Sequence, residues 1–231
     1  MKYLISGTNS GLGKFIYNKL KRNSIGLNRN NRKIINKYNN FHTVIHCAFN
    51  KENEISDYSK YIDDNILLTN ELLNLKFKKF IYISSVDIYS NKENNYIFFK
   101  KLSESLVLKK KNTLILRCSS MIGKTMKPNH IQKIISNSDI TLSSSSSFNY
   151  ILMKDILKFI INDAKNYSGL LDFVANEAIS LKLVSKYFDS KTVFGKSRYM
   201  TVKSFKNPIY KLDKNYDSSS LQNLNRYFKK E

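Results

Sequence analysis

The stretch Ser6-Gly7-Thr8-Asn9-Ser10-Gly11-Leu12-Gly13 decides the fold class of this 231-residue chain. It follows the apolar run Tyr3-Leu4-Ile5, and apolar residues at helical spacing begin behind it, so it predicts a turn from a strand into a helix. Glycines in such a turn let the backbone approach a pyrophosphate, and the helix N-terminus offers free N–H groups. All seven residues from Gly7 to Gly13 are therefore candidates for binding a dinucleotide. The spacing is G-x-x-x-G-x-G, and taken alone a loop of this kind also occurs as an ordinary turn.

The second predicted strand bears on the choice of cofactor. It runs Ser24-Ile25-Gly26-Leu27-Asn28-Arg29 and ends without the carboxylate that binds an unsubstituted ribose. Two basic residues, Arg29 and Arg32, stand at its end, as a 2′-phosphate requires. The predicted cofactor is therefore NADP(H), with NAD(H) as the other possibility, and Asn28 and Arg29 are candidate cofactor-binding residues. The alternative is that both arginines belong to a very basic surface.

A third predicted strand, Phe80-Ile81-Tyr82-Ile83-Ser84-Ser85, brings hydroxyl groups to a ligand-binding position. Its apolar run is typical of a strand buried on both faces of a parallel sheet, and ligands bind at the carboxyl ends of such strands. Tyr96 and Lys100 follow, one helical turn apart. An ammonium beside a phenol lowers the pKa of the phenol, so we expect this pair to act as an acid/base.

The order of these three segments carries a family resemblance. A Tyr-x-x-x-Lys pair alone says little in a chain with 15 Tyr. Behind a glycine loop and a strand that ends in serine, it makes the chain similar to the short-chain dehydrogenases/reductases of the extended, nucleotide-sugar-modifying kind. The resemblance implies that Ser85, Tyr96 and Lys100 are the catalytic residues.

Further segments resemble this family, in the family's order. One resembles the strand end that lines the cofactor, one a helix start whose Asn organises the site, and one the sixth strand, in the Arg-x-Ser-x-x-x-Gly form of keto-sugar reductases. The resemblance implies that Cys47, Ala48 and Asn65 bind the cofactor. It implies that Ser119 and Ser120, together with the catalytic serine, bind the substrate. The segments are Val44–Ala48, Asn65–Thr69, Ser84–Tyr89, Tyr96–Glu104, Leu116–Gly123 and Phe148–Ile156.

The resemblance also implies a reaction. Hydride moves between a nicotinamide and a sugar carbon while Tyr96 exchanges a proton with the attached oxygen. Ser85 hydrogen-bonds that oxygen, and Lys100 holds the nicotinamide ribose. The implied substrate is a nucleotide-linked sugar in surface polysaccharide or deoxysugar synthesis, and a reductase and an epimerase share these residues. One alternative is an inactive cofactor-binding regulatory or scaffold protein of the same fold, and another is a nucleic-acid-binding derivative of it.

The strand and helix patterns predict the architecture. They alternate to about Gly123, which predicts an α/β fold with a doubly wound, Rossmann-like parallel sheet. Only about a dozen residues separate Arg29 from the strand that starts near His42, so we expect one strand of the adenine side to be missing. We expect a single domain over 1–231, in which 124–231 contributes a small substrate-side portion.

Charge and hydropathy indicate which partners and which cellular location to expect for this chain. The net charge is +21, but the basic residues are spread along the chain, so we expect attraction of anionic ligands and no specific nucleic-acid binding. No apolar run approaches the ~20 residues of a membrane helix, and the opening lacks a signal-peptide pattern, so we expect a cytoplasmic protein that does not enter a membrane. The family resemblance suggests a homodimer.

The cysteines and histidines give no sign of a metal or disulfide site. Cys47 and Cys118 both fall in apolar strands and form no disulfide framework. The three histidines have neither metal-ligand spacing nor neighbouring acids, so we expect no metal site.

Overall fold

The computed structural model describes residues 2–38, 40–51, 58–90 and 94–228. The strands are β1 (Tyr3–Ser6), β2 (Ser24–Leu27), β3 (Asn40–His46), β4 (Lys76–Ser85), β5 (Thr113–Cys118), β6 (Ser120–Ile122), β7 (Ile140–Leu142), β8 (Ser147–Phe148), β9 (Tyr150–Leu152), β10 (Gly169–Phe173), β11 (Ile179–Ser180) and β12 (Phe194–Ser197). The helices are α1 (Gly11–Leu20), α2 (Tyr58–Ile62), α3 (Leu68–Leu73), α4 (Asn95–Leu108), α5 (His130–Ile135), α6 (Met153–Asn162), α7 (Leu181–Phe188), α8 (Ile209–Leu212) and α9 (Ser220–Phe228).

Six parallel strands form the central sheet, in the order β10-β5-β4-β3-β1-β2. Their carboxyl ends meet along one edge, because Ser6 pairs with both Leu27 and His46, and Ser85 pairs with Cys118. Ligands bind at this edge in sheets of this kind. The predicted Rossmann-like fold is confirmed.

The connection between β2 and β3 is shortened, as the sequence predicted. Among the described residues it contains a 3₁₀ helix, Arg29–Lys37, and no strand. Its first residue is capped by Asn28, whose side chain accepts a hydrogen bond from the backbone N–H of Asn30. In the described part of the chain β2 is therefore the edge strand on the adenine side.

Helices cover both faces of the sheet because neighbouring strand residues point to opposite sides. Ile5 and Ile81 pack under α1 and α6, while Leu4 and Phe80 pack under α3 and α4. This alternation divides the core into two layers, as in other doubly wound sheets.

The later part of the chain contributes to two cores. Helix α6 and strand β10 complete the central sheet and one of its layers. A third apolar cluster, which includes Ile131, Phe148 and Leu224, supports the segments beside the ligand edge. Described residues from 124 to 228 therefore support the segments beside this edge and also build part of the main sheet.

The helix start expected at Asn65 is not present. Asn65 lies in a π-helical turn, Asp63–Leu67, that joins α2 to α3, so it is inside a helical stretch that is already formed at Tyr58. A π-helical turn widens the helix locally and often occurs at a functional site. In the described residues no helix is both long and apolar enough to cross a membrane.

Candidate active site

The glycine loop brings bare backbone to the edge of the sheet. Gly7 has a φ of +75°, and a Cβ atom there would lie 2.8 Å from the backbone nitrogen of Ala48. A Cβ atom on Gly13 would lie 2.4 Å from the carbonyl oxygen of Gly7. Both positions therefore require glycine, and no side chain covers the loop backbone at either of them.

The segment after β6 is bonded to this loop. The N–H of Gly11 donates to the carbonyl of Thr125 at 3.0 Å, and the Thr125 hydroxyl donates to the carbonyl of Gly11 at 2.7 Å. The same segment leads to Lys127 and His130, which line the cavity described below. The glycine loop is therefore held by a segment that lines another part of the same cavity.

A buried serine fixes the two strand ends beside the loop. The Ser6 hydroxyl oxygen accepts hydrogen bonds from the backbone N–H groups of Cys47 and Ala48, each at 3.1 Å. Because these bonds use its lone pairs, its own hydrogen points to Nδ1 of His46, 2.6 Å away. The wall that the loop faces is thus set by side chains at the ends of β1 and β3.

His46 continues this chain of hydrogen bonds. Since Nδ1 accepts, Nε2 carries the proton and donates to the Thr69 hydroxyl at 2.9 Å, which donates in turn to the carbonyl of Asn65 at 2.6 Å. Burial, with a smaller effect of the nearby Lys100 charge, lowers the pKa of His46 to about 3. His46 is therefore a neutral structural link.

Two of the sequence candidates lie behind the cavity wall. The Asn65 side chain is buried and bonds both backbone groups of Asn50, accepting from the N–H at 2.7 Å and donating to the carbonyl at 3.3 Å. The Thr8 hydroxyl donates to the carbonyl of Leu27 at 3.4 Å. Both residues hold segments of the wall and do not themselves line the cavity.

One cavity of about 1090 Å³ runs along the carboxyl edge of the sheet. It extends from the glycine loop and the end of β2 to the ends of β4 and β5 and the first turns of α4. The remaining sequence candidates all line it. They are Gly7, Asn9, Ser10, Gly11, Leu12, Gly13, Asn28, Arg29, Cys47, Ala48, Ser85, Tyr96, Lys100, Ser119 and Ser120.

Tyr96 and Ser85 meet in this cavity. Tyr96 is in the first turn of α4, which begins after the cap residue Asn94, and the nearby Ser85 hydroxyl acts to lower the pKa of its phenol. Its ring packs edge-on against Phe49, with centroids 5.3 Å apart. Burial has the largest effect on the pKa of Tyr96 and raises it. The phenol therefore keeps its proton at neutral pH.

Lys100 is buried below Tyr96 and does not contact the phenol group. Its Nζ donates to the carbonyl of Ile83 at 2.8 Å and lies 4.1 Å and 4.6 Å from the ring centroids of Phe49 and Tyr82. Burial lowers the pKa of Lys100 to about 7. The expected lowering of the Tyr96 pKa by Lys100 is therefore wrong for this geometry, because burial dominates and the ammonium bonds to backbone and rings.

Asp87 and Tyr199 are site residues that the motifs did not single out. The Asp87 carboxylate accepts from the Ser85 hydroxyl at 3.1 Å and from the Tyr199 hydroxyl at 2.9 Å, and both residues line the cavity. Asp87 lies inside the Ser84–Tyr89 segment, so this motif could have identified it as a site residue. Nothing in the sequence separates Tyr199 from the other tyrosines.

The part of the cavity around Ser119 and His130 is polar and aromatic. The Ser119 hydroxyl donates to the side chain of Asn149 at 2.8 Å. His130 stacks on Phe148 with centroids 4.0 Å apart and hydrogen-bonds the Tyr150 hydroxyl at 2.6 Å, and burial lowers its pKa to about 4. A neutral, hydrogen-bonding ring system therefore faces the end of the cavity farthest from β2.

Acidic residues hold the two arginines predicted to bind the cofactor. Both arms of Arg29 donate to Asp64, at 2.6 Å and 3.3 Å. Arg32 donates to Asp63 and, at 2.7 Å and 2.9 Å, to Glu71. The predicted arginine patch is thus an ion-pair network with the helical stretch after β3.

Comparisons with known proteins address the fold. A scan against models of protein families and a search of curated protein sequences found no match to this chain. Among solved structures, a dTDP-4-dehydrorhamnose reductase from Clostridium acetobutylicum is similar, with 17% identity, a TM-score of 0.76 and 99% of each chain covered. A UDP-glucuronic acid 4-epimerase from Bacillus cereus, in complex with UDP-glucuronic acid and NAD, has 18% identity, a TM-score of 0.72 and 99% of each chain covered.

A third neighbour extends this pattern. A UDP-N-acetylglucosamine 4-epimerase from Methanobrevibacter ruminantium M1, in complex with UDP-N-acetylmuramic acid, has 15% identity, a TM-score of 0.72, and 97% and 98% of the two chains covered. The structural neighbours are thus nucleotide-sugar epimerases and a reductase, as the resemblance to the extended short-chain dehydrogenases/reductases implied. The chain has the Rossmann-like fold of these enzymes.

Proposed function

We propose that the chain is a nicotinamide-dependent enzyme of the extended short-chain dehydrogenase/reductase family, acting on a nucleotide-linked sugar. The observation that carries this proposal is the single cavity that joins the glycine loop to Ser85, Tyr96 and Lys100. Its volume of about 1090 Å³ lies above the range of about 300–1,000 Å³ for pockets that hold one small molecule. This size suits a substrate bound beside a dinucleotide.

The residues along the cavity fit a nicotinamide dinucleotide. The bare backbone of Gly7 and Gly13 and the N-terminus of α1 suit the pyrophosphate, and the end of β2 suits the adenosine ribose. Cys47 and Ala48 form the wall between them, and Lys100 suits the nicotinamide ribose. When bound, the nicotinamide supplies hydride transfer. Either NAD(H) or NADP(H) satisfies this proposal.

Tyr96 supplies the proton. Because burial raises its pKa, the phenol is protonated at neutral pH and is a donor toward an oxygen that gains charge. Reduction of a carbonyl needs such a donor, and the reverse proton transfer serves oxidation or epimerisation. Lys100 lies one turn along α4 and places a titratable ammonium beneath the site.

Ser85 positions the reacting oxygen. Its hydroxyl lies between the Tyr96 phenol and the Asp87 carboxylate, so it is held at the place where a substrate oxygen accepts a proton. Asp87 and Tyr199 orient this hydroxyl from the other side. The Ser85 hydrogen is directed to Asp87 in this arrangement, so it stabilises charge that develops on a substrate oxygen once it turns from the carboxylate to that oxygen.

The substrate class is proposed from the neighbours and the wall of the cavity. Solved neighbours hold UDP-glucuronic acid, UDP-glucose or UDP-N-acetylmuramic acid. Lys127 and the neutral hydrogen-bonding groups of Ser119, His130 and Tyr199 line the corresponding half of this cavity, and a positive field attracts a diphosphate. A role in surface polysaccharide or deoxysugar synthesis, like a cytoplasmic location and a homodimer, rests on family analogy.

Binding followed by turnover tests the proposal. The protein is titrated with NADH and NADPH by nicotinamide fluorescence, and the bound reduced cofactor is then offered a panel of nucleotide-linked 4-keto sugars. Oxidation of the cofactor by a panel member supports a reductase, and interconversion of two nucleotide sugars without net oxidation supports an epimerase. Binding without any turnover would favour the inactive scaffold, and absence of binding would reject the proposal.

A further inference from the structure

We propose that Asp64 recognises the 2′-hydroxyl of the adenosine ribose and so makes NAD(H) the preferred cofactor. This inference rests on the proposed function, because it concerns one end of the same cavity. The sequence predicted the opposite preference, since β2 ends without a carboxylate and Arg29 follows it. In the structure the missing acid is supplied from another element of the chain.

The shortened connection after β2 allows Asp64 to take the role of the acid that is absent from the end of β2. Among the described residues, no strand follows β2 on the adenine side, and the wall there consists of the 3₁₀ helix Arg29–Lys37 and the π-helical turn Asp63–Leu67. Asn28, Arg29, Asp63 and Asp64 all line the cavity at this end. An acid from the turn therefore reaches the place where the strand-end acid binds the ribose in dinucleotide folds.

Asp64 is held in position from two sides. Its carboxylate accepts from Nη2 of Arg29 at 2.6 Å, from Nε of Arg29 at 3.3 Å and from the side-chain amide of Asn50 at 3.0 Å. Its side chain is 14% exposed, while that of Arg29 is 57% exposed. A carboxylate has about four lone-pair sites, so capacity remains for a ribose hydroxyl. Asp64 is therefore the buried partner of the pair and Arg29 the exposed one.

The second arginine is also engaged. Arg32 is shared between the carboxylates of Asp63 and Glu71, and the bond to Glu71 is the largest cause of its raised pKa. A guanidinium binds a phosphate strongly when its planar fork is free for two parallel bonds. Arg32 uses all three of its side-chain nitrogens in these bonds. Arg29 gives its Nε–Nη2 edge to Asp64 and keeps the hydrogens of Nη1 and one hydrogen of Nη2.

The two cofactors place different groups against this wall. A 2′-phosphate would bring about two negative charges next to the carboxylates of Asp63 and Asp64, and of the two arginines only the Nη1–Nη2 edge of Arg29 would remain to pair with it. A 2′-hydroxyl instead donates a hydrogen bond to a carboxylate that is already in place. The geometry therefore favours the unphosphorylated ribose.

The dissociation constants for NADH and NADPH test this inference by nicotinamide fluorescence, without any turnover. We expect the wild type to bind NADH at least about ten-fold more tightly, the effect of one hydrogen bond to a charged group. We expect Asp64→Asn to remove or reverse this preference, because it keeps the shape, weakens the acceptor and frees Arg29.

Asp155→Asn is the matched control. Asp155 also binds an arginine, Arg226, through both oxygens, and its side chain is 15% exposed, but it does not line the cavity. We expect this variant to keep the wild-type ratio. Tighter binding of NADPH by the wild type, or an unchanged ratio in Asp64→Asn, would overturn the inference while leaving the proposed function intact. The wild-type ratio is decisive even if a variant fails to fold, and binding of neither cofactor would reject both.

Discussion

The Arg117 guanidinium and the Glu104 carboxylate form a two-armed ion pair inside the protein. The Nε–Oε1 distance is 3.0 Å and the Nη2–Oε2 distance is 2.6 Å, and the two side chains are only 10% and 5% exposed. The pair joins α4, which carries Tyr96 and Lys100, to β5. The sequence placed each partner in a motif but did not pair them.

Removing one partner of this pair should destabilise the fold. In Arg117→Met the Glu104 carboxylate is left buried without its cation, and we expect the free energy of unfolding to fall by about 3 kcal/mol. Arg226→Met is the control, because Arg226 forms an equally two-armed but more exposed pair with Asp155 and should cost less than about 1 kcal/mol. Urea unfolding at neutral pH measures both. Equal losses of unfolding free energy in Arg117→Met and Arg226→Met would show that burial of the Arg117–Glu104 pair does not increase its contribution to stability.

Tyr96→Phe should separate chemistry from binding. The ring keeps its packing against Phe49, while the hydroxyl that contacts Ser85 is lost. We expect turnover to fall by at least about a hundred-fold with cofactor affinity nearly unchanged, as for a general acid/base. Tyr89→Phe is the control, because Tyr89 donates to Asp172 outside the cavity and should leave turnover intact. An equal loss of turnover and affinity in Tyr96→Phe would mean that the catalytic turn is misplaced.

Lys100→Met should raise the stability of the fold and weaken cofactor binding. Burial lowers the pKa of Lys100 to about 7, so the folded protein disfavours the charged form that predominates below that pH. We expect the variant to be more stable by about 1–2 kcal/mol at pH 6 and to bind the cofactor more weakly. Lys101→Met, at an exposed neighbouring position, should change neither property. Urea unfolding and cofactor titration measure the two effects, and a destabilised Lys100→Met would contradict this account.

Stability should fall in mild acid because of His46. Its pKa is lowered from 6.5 to about 3, so between these values the unfolded chain takes up a proton that the folded protein refuses. Its contribution is therefore complete above pH 6.5 and declines as the pH falls, by about 2 kcal/mol at pH 5. Urea unfolding at pH 5 and 7 measures the change.

A second histidine adds to the same effect and can be separated from it. Burial lowers the pKa of His130 to about 4, so His130→Gln should reduce the acid sensitivity without removing it. NMR titration of the imidazole rings gives the direct measurement. A His46 ring that titrates near pH 6.5 would disprove the assignment.

The glycine loop should tolerate no Cβ atom at Gly13. A methyl group there meets the Gly7 carbonyl oxygen at 2.4 Å, so Gly13→Ala must move the loop, and we expect affinity for either dinucleotide to fall by at least about ten-fold. Gly169→Ala is the control. Unlike Gly13, Gly169 has a positive φ, +77°, but it has open space around it and lies outside the cavity, so the variant should lose stability and keep its affinity. Comparable losses of dinucleotide affinity in the two variants would contradict the view that close packing of Gly13 against the Gly7 carbonyl is needed for binding.

The sequence was informative where function depends on the ends of parallel strands. Gly7, Ser85 and Lys100 come from separate segments, but such strands end at one edge, and the structure brings these residues into one cavity. The shortened connection after β2 could also be predicted from the sequence, because too few residues remain there for another strand and its helix.

Features that depend on long-range packing could not be predicted from the sequence. The Tyr199 hydroxyl reaches Asp87 across 112 positions of sequence, and no local pattern encodes that contact. The pKa of Tyr96 is set by burial, which a spacing of four residues does not reveal. Asp64 lines the cavity and pairs with Arg29, just beyond the end of β2, and only the fold reveals this position.

The bonds between Gly11 and Thr125 have a consequence for the order in which ligands bind. A pyrophosphate that takes the N–H of Gly11 must displace the Thr125 carbonyl, and this moves the segment that carries Lys127 on the opposite wall. Binding of the dinucleotide should therefore change the affinity of the site that the sugar enters. By linkage, the sugar should change the affinity for the dinucleotide by the same factor, and a dinucleotide dissociation constant that saturating sugar leaves unchanged would refute this coupling.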